Sequence, residues 1–78
     1  MNTLIDTPIS ARHADGQIFV MMESGIEISF PCSAYPRLAQ ATDQERAHME
    51  LSPMGVHWPD VDEDLAIRGL LRDHGSRG

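Results

Sequence analysis

The sequence predicts an α+β fold, a small antiparallel β-sheet with two short helices packed on one face. Three observations carry it. Ile18–Met22 and Ile26–Phe30 are apolar or alternating stretches separated by Glu23-Ser24-Gly25, the pattern of a hairpin. His48–Leu51 and Val56–Trp58 repeat that pattern around Ser52-Pro53-Met54-Gly55. Helix-start signals stand at Thr42–Glu45 and at Asp62–Asp64. With 78 residues and no linker, repeat or low-complexity tract, residues 1–78 read as a single acidic α+β domain.

Residues 1–6 read as an irregular lead-in. Pro8 suits an edge strand, because it lacks the N–H that a central ladder needs; Ile9, Ala11 and His13 then alternate with Ser10 and Arg12. Asp15-Gly16 tolerates the positive φ of a tight hairpin turn. Ile18–Met22 is continuously apolar, as expected for a central strand covered on both faces, or for one with a face packed on helices and the other in a subunit contact. In the next strand Ile26, Ile28 and Phe30 face inward, Glu27 and Ser29 face water, and Pro31 ends the run.

Cys32–Ala41 reads as a broken helical segment, with Ser33 as cap, Pro36 in the first turn, and Tyr35 and Leu38 aimed at the sheet. Thr42 and Glu45 have capping-box spacing and open a short turn of helix. In the second hairpin a four-residue loop sets Leu51 opposite Val56, Glu50 opposite His57 and Met49 opposite Trp58. The apolar pairs then lie on the core side and Glu50–His57 on the wet side. Asp62 is expected to cap the final helix, with Glu63 and Asp64 in its first turn and Leu65, Ile67, Leu70 and Leu71 as its apolar stripe. Gly69 suggests close packing, Gly75 a helix stop, and residues 76–78 a frayed end.

A chain this short buries only roughly 60–65% of its unfolded surface, so dimerisation is a natural source of added stability. Its net charge is −6 and its pI about 4.9. That balance argues against direct nucleic-acid binding, which needs a basic face. All six basic residues are arginine. The single cysteine, Cys32, cannot form an internal disulfide, which suits a reducing compartment. No signal-peptide pattern is visible, and no apolar run approaches the ~20 residues of a membrane span. Cytoplasmic localisation, with no membrane association, is the expectation.

Four features have residue types that carry chemistry. Asp60-x-Asp62-x-Asp64 matches the opening of a calcium loop, but Leu65 stands where glycine is needed and Leu71 where a bidentate glutamate is needed. The run then reads either as helix capping with a solvated acidic face or as a docking patch for an arginine- or lysine-rich surface. His48, His57 and Glu50 are zinc-capable residue types without motif spacing, and a surface His57–Glu50 pair is the simpler expectation. Cys32 has no local base or oxyanion hole and reads as a structural thiol. Gly16 and Gly25 are turn glycines rather than a phosphate loop. Trp58 shares the core side with Val56 and is read as core before interface anchor.

Glu27-Ile28-Ser29-Phe30-Pro31, Tyr35-Pro36-Arg37-Leu38, Ala41–Arg46, Gly55-Val56-His57-Trp58-Pro59, Asp62-Glu63-Asp64-Leu65 and Gly69-Leu70-Leu71 occur in that order. Together they resemble the small prokaryotic domain-of-unknown-function family number twenty-four forty-two, over most of residues 17–72; residues 1–16 match poorly. The resemblance implies an α+β fold with a small antiparallel sheet and two helices, and no enzyme activity. It also implies gene arrangements similar to toxin–antitoxin pairs. Small acidic proteins of mobile elements include anti-CRISPR inhibitors as well. The expected function is therefore a non-enzymatic binding or inhibitor protein, antitoxin-like or anti-CRISPR-like, with no cofactor and no metal. Asp60, Asp62, Glu63 and Asp64, with Glu50 and Glu27, would dock onto a basic protein or nucleoprotein complex. The alternative is a self-associating structural module, a homodimer joined through residues 18–22.

Overall fold

The computed structural model describes residues 6–74. Strands β1 (Pro8–Ala14), β2 (Gln17–Met22) and β3 (Glu27–Pro31) form one antiparallel sheet in that order. A 3-10 turn (Cys32–Ala34) and helices α1 (Pro36–Ala39) and α2 (Asp43–Ala47) lead to the second sheet. That sheet is β4 (Glu50–Ser52), β5 (Gly55–Trp58) and β6 (Glu63–Ala66), also antiparallel and in chain order, and α3 (Ile67–His74) follows. This is a small α+β fold. Its strands are divided between two three-stranded sheets, and the described residues hold three short α-helices.

The first hairpin turns through Asp15 (φ 52°) and Gly16 (φ 75°), the two left-handed residues that match the twist of the flanking strands. Ala14 consequently faces Gln17, and the register runs on through Arg12 opposite Phe19. A bulge between Pro8 and Ser10 breaks the alternation of β1 and leaves Ile9 60% exposed. In β2 the side chains alternate: Ile18, Val20 and Met22 are fully buried, while Phe19 and Met21 are half-buried on the other face. Ile28 and Phe30 of β3 point inward as expected, but Ile26 does not. It precedes the strand, its carbonyl accepts the Met22 N–H at 2.8 Å, and it is 42% exposed.

A single core unites both sheets. Ile18, Ile28, Phe30, Leu38, Val56, Trp58, Ile67 and Leu70 belong to one buried cluster. Trp58 is completely buried, and its indole N–H donates to the Arg46 carbonyl at 3.0 Å, so the ring is core and its one polar atom is satisfied. Arg46 in turn donates from Nε to the Leu38 carbonyl (2.9 Å) and from Nη2 to the Ala39 carbonyl (3.0 Å). The Leu38 carbonyl also accepts the Ala41 N–H at 3.2 Å, so Arg46 adds side-chain bonds to the backbone bonds that close α1. Pro36 occupies the first turn of α1, but no side chain caps it; Tyr35, not Ser33, stands at its N-cap. The capping box at α2 forms in full: Thr42 Oγ1 accepts from the Glu45 N–H (3.1 Å), and Glu45 Oε1 accepts from the Thr42 N–H (2.9 Å). The expectations for residues 1–5, Gly75 and 76–78 lie outside the described residues.

Candidate functional site

The acidic run is built differently from the helix start expected of it. Asp62 does not cap a helix. Pro59–Asp62 form the loop of the β5–β6 hairpin, and Glu63 and Asp64 are strand residues opposite Trp58 and His57. The ladder to β5 overrides the helical propensity of Glu63-Asp64-Leu65, because strand pairing places Leu65 beside Val56 against the core. Helix α3 starts only at Ile67, whose N–H donates to the Met54 carbonyl at 2.8 Å.

Asp62 adopts a left-handed backbone, φ 55°, which aspartate tolerates better than most residues. Arg37 of α1 supports this turn. Its Nη1 donates to the Asp62 carbonyl at 2.6 Å and lies 3.9 Å from the Asp62 carboxylate. The carboxylate remains 89% exposed. Asp60 and Asp64 each meet an imidazole: His48 Nδ1 lies 2.8 Å from Asp60 Oδ2, and His57 Nδ1 lies 2.7 Å from Asp64 Oδ1. The Asp64 side chain is still 76% exposed. Glu63 is half-buried, and its Oε1 accepts the Asp64 N–H at 3.0 Å.

The expected register of the second hairpin is observed, with Glu50 opposite His57 and Leu51 opposite Val56. The expected His57–Glu50 bond is not formed. His57 is on the central strand, flanked by Glu50 on β4 and Asp64 on β6, and it bonds to Asp64. Leu51 shares the face of Val56 but is 37% exposed, because β4 is an edge strand only three residues long. Glu50, His57 and Asp64 form a row across the outer face of the sheet, beside an open depression of about 280 Å³ lined in part by Ser52, Gly55, His57 and Asp64. Glu27 is elsewhere, on β3 of the other sheet and opposite Met21. Five of the six candidate docking residues thus fall on the second hairpin sheet and its loop, and Glu27 does not join them.

Among the described residues, no group of three or more His, Cys, Asp or Glu side chains is placed to hold a metal ion. Cys32 is buried, and burial pushes its thiol above the ordinary value of 9.0. Tyr35 donates to or accepts from His74 Nε2 at 2.8 Å and packs edge-on to Phe30. Burial raises its phenol above the ordinary 10.0, helped by the negative charges of Asp73 and Glu63. Sequence reasoning missed the support that Arg37 and His48 give the acidic loop. No local spacing signals either contact, since Arg37 and Asp62 are 25 residues apart.

Fold and site together define a small two-sheet α+β protein that presents a braced acidic hairpin at its surface. The model of the family described as "Protein of unknown function (DUF2442)" matches residues 8–75, and the chain belongs to this family. The match includes β1, where the sequence motifs were weakest. The chain is also similar to a crystal structure of a protein of unknown function from Rhodospirillum rubrum ATCC 11170. The two are 25% identical, with 92% of each chain covered and a TM-score of 0.80. No curated protein matches the chain. No helix among the described residues is long and apolar enough to cross a membrane.

Proposed function

We propose that this chain is a non-enzymatic, cytoplasmic binding protein that docks its acidic hairpin onto a basic, nucleic-acid-handling partner. The observation that carries this reading is the presentation of Asp62 and Asp64, whose carboxylates stay 89% and 76% exposed although the backbone beneath them is fixed. Arg37 secures the loop from below, and His57 orients Asp64 from the central strand. A carboxylate accepts several hydrogen bonds, so one bond to His57 leaves Asp64 with acceptor capacity for an incoming guanidinium or ammonium group. Fixed carboxylates lose little freedom on binding. They would occupy arginine and lysine positions that otherwise hold phosphates, an antitoxin-like or anti-CRISPR-like blockade. Asp60 and Glu50 extend the same acidic surface. Glu63 serves the hairpin backbone, and Glu27 lies outside this dock.

An arginine nonapeptide is a suitable probe. The variant Asp62→Asn/Asp64→Asn removes two charges while keeping a residue that tolerates the left-handed turn and an acceptor for His57. Isothermal titration at low salt is expected to show at least ~10-fold weaker binding of the peptide to this variant than to the parent chain, the scale of two charge-assisted contacts. Equal affinity for both proteins rules out the hairpin as the dock.

A further inference from the structure

The outward face of the first sheet carries a separate surface. Strand pairing aligns Arg12, Phe19 and Ser29 in one row and Ser10, Met21 and Glu27 in the next. Residues directly opposite in a ladder share a face. Since Ile18, Val20, Met22, Ile28 and Phe30 are buried on the inner side, these two rows point outward. Phe19 and Met21 on the central strand are half-buried, with the Arg12 guanidinium 4.1 Å above the Phe19 ring. Exposed Ile9 extends the apolar surface at the bulge of β1.

We infer that this face binds a second copy of the chain. A protein of net charge −6 repels its own copies in most approaches. These two rows instead hold one cation and one anion around an apolar centre, with Arg12 on the β1 flank and Glu27 on the β3 flank. Within one chain their backbones are ~12 Å apart and their side chains point the same way, and Arg12 is laid over Phe19 rather than toward Glu27. A two-fold axis parallel to β2 lays β1 of one copy over β3 of the other. Arg12 then sits above Ser29 of the copy, ~6.6 Å along the strand and ~10 Å across the gap between the sheets from Glu27, a separation that the two side chains span together because they point toward each other. Symmetry makes two such pairs around a Phe19–Met21 centre. The two rows and their margins cover only ~250 Å² per copy, below the ~800 Å² per partner of a standard interface, so the dimer is weak and concentration-dependent.

Sedimentation velocity of the whole chain, from ~10 μM to ~1 mM in low salt, tests this. The expected result is a shift from monomer toward dimer across that range. Phe19→Glu, checked for folding by circular dichroism, is expected to remain monomeric. Arg12→Glu and Glu27→Arg are each expected to weaken association at least ~5-fold by setting like charges together, and the double exchange Arg12→Glu/Glu27→Arg to recover it. A monomer at every concentration overturns the inference. So does a dimer that is indifferent to Phe19→Glu, or single charge variants that the double exchange fails to rescue. Should Phe19→Glu unfold, the charge exchange decides alone.

Discussion

Gly55→Ala is the sharpest test of how the second sheet is assembled. Gly55 opens β5 opposite Ala66, and a methyl group there would run into the Leu65 carbonyl oxygen while also meeting Ala66 Cα and Leu65 C at 3.2 Å. All three are backbone atoms, so no side chain can swing away. The β5–β6 ladder must part at this end, near the Met54 carbonyl that receives the first N–H of α3. Losing one or two ladder bonds at ~1 kcal/mol each, with ~1 kcal/mol of overpacking strain, gives a cost of about 2–3 kcal/mol. For a domain this small that lowers Tm by roughly 10–20 °C. Gly69→Ala is the matched control. The new methyl group meets only the Arg72 Nη2 atom, at an ordinary 3.7 Å, and the helix gains ~0.5–1 kcal/mol of propensity. Gly69 therefore does not mark a close approach to the sheet. Urea unfolding of both variants measures the two effects on one scale. A Gly55→Ala loss below ~0.5 kcal/mol, or a Gly69→Ala loss of any size, would refute the packing described for β5 and α3.

Further outcomes follow from the Arg46 clamp, the α2 cap and the buried acids. Arg46→Ala removes both bonds to the α1 carbonyls and the 3.5 Å contact with Asp43, and is expected to cost about 2–3 kcal/mol in urea unfolding. Arg46→Lys should recover less than half of it, since an ammonium group lacks the fork that reaches Leu38 and Ala39 together. Thr42→Ala breaks the capping box and should cost ~1 kcal/mol. Stability should fall under alkaline conditions. Cys32 and Tyr35 both have raised folded-state values, so the unfolded chain releases these protons first. Stability is then intact below the thiol's ordinary 9.0 and declines as pH rises through and above that value. Cys32→Ala should flatten the onset of that decline in thermal melts taken from pH 8 to 11, and an unchanged onset would contradict the burial of this thiol.

Much of this fold is written in local patterns. The Asp15-Gly16 turn, the alternation of Ile28 and Phe30, the Thr42–Glu45 box and the Leu51–Val56 register all depend on neighbours a few residues apart, where spacing is informative. The acidic run was ambiguous for a physical reason. Asp62-Glu63-Asp64-Leu65 has the composition of a helix start, yet Glu63, Asp64, Leu65 and Ala66 alternate in burial as a strand does. A partner strand at Gly55–Trp58 decides between the two. Ile26 followed the alternation of β3 on paper but lies before the strand, where the Met22 turn sets its direction. The candidate site was legible in its charges and not in its supports. Arg37, His48 and the choice of Asp64 over Glu50 by His57 depend on tertiary placement, which no short spacing encodes.

The central claim is that the braced hairpin blocks a basic partner. Its most direct test is capture from a host lysate on immobilised parent chain and on the Asp62→Asn/Asp64→Asn variant, in ~50 mM and ~500 mM salt, with nucleic acid added as competitor. The account predicts a basic nucleic-acid-binding protein held by the parent chain at low salt, released by salt and by nucleic acid, and missing from the variant. Equal capture by both proteins, or a complex indifferent to competing nucleic acid, would contradict it.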